Sequence, residues 1–158
     1  MSLVLCESDP MKITLTKHPR KCRVNLKKLH RLAQWLARTA GLENFSSLEI
    51  LLTDDAGIVA ANRAVFGRDY VTDVISLAYP PMPGETGSAG ELIINVDQAK
   101  REGAHRAGGP DRELALYLAH GCDHLAGNDD TTPTQRTSMR RRELRWLREA
   151  EKNGLLAG

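Results

Sequence analysis

The sequence predicts an α+β fold, a single mixed β-sheet of about four strands covered by about five helices. Three observations carry that prediction. Four short segments show the apolar alternation or the brief apolar run of a strand. Longer segments repeat apolar residues at intervals of three and four behind a capping residue. The two kinds are mixed along the chain without strict alternation and without an internal repeat. At 158 residues the chain has the size of one domain and can bury a core without disulfides, so residues 1–158 read as a single domain.

Residues 1–10 lack periodicity and read as a loose leader; Ile13 and Leu15 then alternate with Lys12, Thr14 and Thr16 as in a half-buried strand. Behind Asn25 as cap, the residues Leu26, Leu29, Leu32, Ala33, Leu36 and Ala40 form one apolar stripe that stops at Gly41, an amphipathic helix. Leu48 to Leu52 reads as a buried strand. Asp54 or Asp55 caps a short helix that runs to about Phe66 and ends at Gly67. Val74 to Ala78 and Leu92 to Val96 are two more strands, and the Pro- and Gly-rich stretch from Tyr79 to Gly90 between them reads as a mobile loop. Asp97 caps a helix to about Glu102, Gly108 to Pro110 form a break, and Asp111 caps the next helix. Thr132 and Pro133 open a last, basic helix through Trp146 and Leu147 to Gly154.

Composition narrows the class. With 41% hydrophobic and 27% charged residues the chain is not of disordered type. No stretch approaches the roughly 18 apolar residues of a membrane span, and no signal segment is evident, which predicts a cytoplasmic protein without membrane partners. Cys6, Cys22 and Cys122 are scattered and form no C-x-x-C pair, so they read as reduced thiols and not as a disulfide framework or cysteine zinc cage. A net charge of +2 permits an anionic partner without requiring one.

The chemistry concentrates in one stretch, His120-Gly-Cys-Asp-His124-Leu-Ala-Gly127-Asn-Asp-Asp130, on a zincin-like metal helix. Histidines at i and i+4 share a helix face and can grip one ion from one side. Gly127 can turn left-handed and send the chain back, so the residue three further on, Asp130, falls in the third slot of an H-x3-H-x2-G-x2-ligand arrangement. Asp129 is its chemically identical competitor, and spacing alone assigns the role to Asp130. Two imidazoles and one carboxylate suit one zinc ion, Zn(2+), although nickel, cobalt, manganese or iron(II) could bind a similar set. Gly121 stands where H-E-x-x-H peptidases carry their glutamate base, which disfavours peptide hydrolysis. Asp123, one turn from His120, could orient water or a histidine, or could be an exposed helix carboxylate.

In these residues the chain resembles the YbeY family of metal-dependent endoribonucleases, whose signature H-G-x-L-H-L-x-G-Y-D-H stands here as HGCDHLAGNDD. The resemblance extends to Asn62, to Thr72-Asp73-Val74-Ile75-Ser76, to Gly90-Glu91-Leu92-Ile93-Ile94, to Arg112-Glu113-Leu114, and to Met139-Arg140 with Glu143. It implies a zinc ion, single-stranded RNA as substrate, and work on the ribosome in the maturation of the 16S rRNA 3′ end and in 70S quality control. A ribosomal or GTPase protein partner is conceivable on the same ground. Two departures accompany it. Asp130 replaces the family's usual third histidine and makes the site more anionic, and Phe66 replaces an arginine usually found six residues before the Thr72 position. Arg63 or Arg68 could substitute for that arginine.

Such a site would run zinc-activated hydrolysis of a phosphodiester, with Asp123, Arg68 and Asp73 as possible helpers; Asp73 could equally fix a turn. Phosphate contacts are expected from Arg63, Arg68, Arg140 and Arg141, within a basic tail that also carries Arg136, Arg142, Arg145 and Arg148. A second basic run is Lys17, Arg20, Lys21 and Arg23. At 4% aromatics, few rings are available to stack on bases, which predicts backbone-led binding. The alternatives are a ribosome-assembly factor whose metal is structural, and a small-molecule metallohydrolase with the 79–90 loop as lid.

Overall fold

A computed structural model describes residues 11–19 and 22–156. The leader expected over 1–10 and two members of the first basic run, Arg20 and Lys21, lie outside the described residues.

Alternation along β1 (Lys12–Lys17) leaves Lys12, Thr14 and Thr16 exposed and turns Ile13 and Leu15 inward. The side chain of Asn25 accepts from the Lys28 amide and starts α1 (Leu26–Thr39), which buries Leu29, Leu32, Ala33, Leu36 and Ala37. After β2 (Phe45–Thr53), Asp54 and not Asp55 caps α2 (Asp55–Phe66), accepting from Gly57 N at 2.9 Å. Gly67, at φ 65°, ends that helix in the left-handed region. Next come β3 (Val74–Tyr79), β4 (Ser88–Asn95), α3 (Val96–Gly103), α4 (Gly109–Leu125) and α5 (Pro133–Lys152). A capping box between Thr132 and Gln135 opens α5.

Three boundaries differ from the sequence expectation. The 79–90 loop shrinks to 80–87, because Tyr79 pairs with Ala89 and Ala78 with Gly90 in an antiparallel ladder. Gly90 looks like a loop residue but serves packing: a Cβ there would lie 3.1 Å from Leu125 and 3.2 Å from Leu48. The cap of α3 is Asn95, not Asp97. Its Oδ1 accepts from the amides of Asp97 and Gln98, while its Nδ2 donates to Asp55 Oδ1 at 2.9 Å and Thr72 O at 3.2 Å. α4 begins at a left-handed Gly108 without a side-chain cap, and Asp111 falls inside its first turn.

The sheet order is β1-β2-β4-β3, with β1, β2 and β4 parallel and β3 antiparallel to β4. Strand alternation then sorts the core. Leu48, Ile50, Leu52, Leu92 and Ile94 join one large cluster with residues of α1, α3, α4 and α5. Leu51, Ile75 and Ile93 face Ile58 of α2 across the other side of the sheet. The α+β class with one mixed four-stranded sheet and five helices is therefore the observed one.

α4 is the central helix of the larger layer and is buried on most of its circumference. It lies so close to the sheet that a Cβ on Gly121 would stand 2.8 Å from Leu92 Cδ2. The hydroxyl of Ser76 on β3 donates to Gly121 O at 3.3 Å and ties helix to sheet at the same level. No helix among the described residues is long and apolar enough to cross a membrane.

Asn95 is fully buried and uses both ends of its amide to join β4, α2, α3 and the segment before β3. Asn95→Ala removes a cap and takes the amide donor from the half-buried Thr72 carbonyl, so it should lower stability by about 2 kcal/mol. Urea unfolding would show this as a lower midpoint at an unchanged slope.

Candidate metal centre

The last two turns of α4 place His120 and His124 on one face, about one-quarter exposed each, with their Nε2 atoms 3.2 Å apart. Gly127, at φ 96°, reverses the chain after the helix. The returning loop brings Asp130 Oδ2 to 3.6 Å from His120 Nε2 and 3.4 Å from His124 Nε2. Asp130, and not the exposed Asp129, is grouped with the two histidines.

The hydrogen bonds at the far side of each ring fix which atoms converge. His124 Nδ1 lies 3.1 Å from the carbonyl oxygen of Asn128; a carbonyl only accepts, so Nδ1 carries the proton and the neutral ring turns its Nε2 lone pair inward. His120 Nδ1 lies 2.8 Å from Glu143 Oε2 and donates to that carboxylate in the same way. Two lone pairs and a carboxylate oxygen thus point at one spot, a repulsive arrangement that a cation relieves. Their spacing also suits zinc, because ligands about 2.0–2.1 Å from a tetrahedral ion stand roughly 3.3–3.4 Å apart.

Sequence reasoning did not give Glu143 a role. It lies on the buried stripe Met139, Glu143, Trp146, Leu147, Ala150 of α5, and a carboxylate at a helical position reserved for apolar residues was the available signal. Asp123 is corrected in one respect: it is fully buried, so the exposed-carboxylate reading fails. Its Oδ1 accepts from Asn128 Nδ2 at 2.8 Å and Arg142 Nε at 2.9 Å. Asp123 therefore holds the loop whose carbonyl holds His124, and it also acts on Glu143, the partner of His120.

Electrostatics follow from this crowding. Burial by itself lowers the His120 pKa, but the hydrogen bond and charge of Glu143, with the charges of Asp73 and Asp130, outweigh it and hold the imidazole above its ordinary 6.5. Burial, reinforced by Asp123, pushes the Glu143 carboxyl up against the opposing pull of His120. Burial, then Asp123, pushes the Cys122 thiol up to about 12, and burial raises Cys22 too, so neither thiol is a nucleophile near neutral pH.

Two hollows meet at the donors. A groove of about 610 Å³ is lined by His124, Asp129 and Asp130 together with Phe66, Arg68 and Tyr70. A polar cleft of about 340 Å³ is lined by His120, Asp73, Arg140, Glu143 and Tyr117, and Thr72 belongs to both. Asp73 also accepts from its neighbour's amide, Val74 N, at 2.8 Å, so the turn-fixing role and the position in the cleft coexist. The other arginines divide. Arg63 pairs with Asp69, Arg142 is spent on Asp123, Arg136 donates to the Asp130 and Thr131 carbonyls, and Arg141 is exposed on α5 away from either hollow's lining.

The sequence profile of the Endoribonuclease YbeY family matches residues 14–151. A protein named Endoribonuclease YbeY from Moorella thermoacetica is 32% identical over 142 residues, covering 84% of this chain and 85% of the relative. Another of that name, from Rhodopirellula baltica, is 37% identical over 120 residues, and the chain spans 59% of that relative's length. The solution structure of TM1509 from Thermotoga maritima has a TM-score of 0.56 at 18% identity, covering 94% of this chain and 96% of that one, a likeness of fold.

Protons compete with metal for imidazoles, so the affinity of such a site for a divalent ion such as zinc should begin to fall at a higher pH than an ordinary imidazole would set, because the His120 pKa is raised. Glu143→Gln should move that decline to lower pH, since it removes the charge that favours the imidazolium. It should also weaken zinc at pH 8 by roughly 10–100-fold, the usual cost of losing such a carboxylate. Competition with a chelating dye across pH measures both.

Proposed function

The chain belongs to the endoribonuclease YbeY family, and from that premise we propose that it is a single-strand-specific metallo-endoribonuclease with one zinc ion on His120, His124 and Asp130. The observation that carries this reading is the convergence of those three donor atoms where two hollows meet. Its place is the cytoplasm and its substrate the 16S rRNA, in 3′-end maturation and 70S ribosome quality control. The whole chain acts as one domain.

When bound, zinc supplies Lewis-acid polarisation of a phosphoryl oxygen and acidifies water. The chain's own residues do the rest. Glu143 and the Asn128 carbonyl hold the two rings by their Nδ1 protons, so that both Nε2 atoms are offered together. Asp130 adds a negative charge that a third histidine would not, which lowers the acidifying power of the site. Arg140, at the rim of the His120 cleft, and Arg68, in the groove, are placed to meet phosphates on either side. Asp73 lines the cleft within charge reach of His120 and can take a proton from an approaching group.

A second reading has specific support in Asp130 and Phe66: a less acidifying donor set and a missing arginine favour an assembly factor whose metal is structural. The open hollows on both sides of the donors favour a polymer over a small molecule.

Single-stranded RNA should be cut by the zinc-loaded chain and spared after chelation, and equal cutting by metal-free protein would sink the reading. Elemental analysis should find about one zinc per chain, lost in His120→Ala and Asp130→Ala and kept in Asp129→Ala. Ribosome association that survives His120→Ala with no cleavage by the parent would favour the assembly factor.

A further inference from the structure

The groove beside His124 and Asp130 carries a feature that a phosphodiester does not require. Phe66 closes α2, Gly67 turns the chain in its left-handed conformation, and Arg68 and Tyr70 follow at alternate positions of the segment leading to β3. Phe66 is 49% exposed and Tyr70 53%, an unusual pair in a chain with few rings. Arg68 spans them: its guanidinium carbon stands 5.5 Å from the Phe66 ring centre, and its Nη1 lies 3.2 Å from the Tyr70 hydroxyl. Buried Asn62 fixes this segment, since its Nδ2 donates to Tyr70 O at 3.0 Å and its own carbonyl accepts from Arg68 N. The buried Asn62 therefore fixes the backbone that carries Arg68 and Tyr70 along the groove.

We infer that Phe66 and Tyr70 form a stacking platform for an unpaired base of the RNA strand whose phosphate lies at His120, His124 and Asp130, with Arg68 between them as cation. The platform rests on the ribonuclease reading and names how the substrate is held. An occupant that presents a phosphate to the donors carries a base next to that phosphate, and the groove that contains two of the donors also contains the two rings. Base faces are free only in single strands, because a duplex covers them with neighbouring pairs, so selection for single strands follows from these side chains. The aromatics are few, but two of them line the groove that the site uses, so this proposal stands against the expectation of backbone-led binding. Phe66 stands where the resemblance places an arginine, and there it offers a ring face in place of a cation.

The test is fluorescence anisotropy with the zinc-loaded full chain and an eight-nucleotide single-stranded RNA whose linkages are phosphorothioate, recovered intact after the measurement. Phe66→Ala and Tyr70→Ala should each weaken binding about tenfold, the typical loss for one stacked base. Phe66→Trp should retain it. An RNA of the same length with one abasic position, moved along the strand, should bind the parent about tenfold more weakly at one register, and the Phe66→Ala/Tyr70→Ala double variant should no longer discriminate. A duplex should bind no better than the double variant binds the single strand. The platform is overturned if the parent binds no single-stranded RNA, if both alanine variants bind within twofold of the parent, or if every abasic RNA binds as tightly as the intact one. The abasic series on the parent decides even if a variant fails to fold. Cleavage with zinc, assayed separately, keeps the two readings apart: stacking without cleavage sinks only the ribonuclease, and cleavage indifferent to both rings sinks only the platform.

Discussion

Two imidazole nitrogens are held 3.2 Å apart, with a carboxylate oxygen within 3.6 Å of both. What maintains this arrangement is distributed over the fold. α4 supplies the shared helix face, α5 brings Glu143 to the back of one ring, and the loop after Gly127 brings a carbonyl to the back of the other. The sheet fixes where α4 can lie, through the close contact of Gly121 with Leu92 and the Ser76 hydrogen bond. The crowding of two imidazole nitrogens and a carboxylate is thus held in place by the packing of α4 and α5, whose inner faces are buried in the larger hydrophobic cluster.

Which parts of this could be read from the sequence follows from the range of each interaction. His120, His124, Gly127 and Asp130 lie within eleven residues, and helix geometry plus one left-handed glycine suffices to bring them together. Glu143 acts across 23 residues and between two helices; its sequence shows that it is buried, but not against which partner. Asp123 sits on the same helix as the histidines, yet its side chain points to Asn128 and Arg142, and only the packing of α5 reveals that. The fold class and the order of elements were legible because apolar periodicity is local. Gly90 misled the reading of β4, since a glycine kept for close packing has the same letter as one kept for a turn.

The arginines give the same lesson for charge. α5 looks like a uniform basic surface, but Arg142 is consumed by a buried carboxylate and Arg136 by loop carbonyls, while Arg140 reaches the cleft beside His120. Net charge near the site is therefore much smaller than a residue count suggests, and both hollows mix cations with carboxylates. Recognition then depends on shape and on which few groups face inward, more than on a field extending into solvent.

The contact between Gly121 and Leu92 limits where this scaffold could go next. H-E-x-x-H peptidases carry a carboxylate directly after the first histidine, and here a Cβ at that position would crowd the side-chain tip of buried Leu92 at 2.8 Å. Making room means repacking Leu92 within the core that also holds α4. A peptidase carboxylate at Gly121 would need accommodation at Leu92 as well, so the tight seam between helix and sheet narrows the chemistry open to this site.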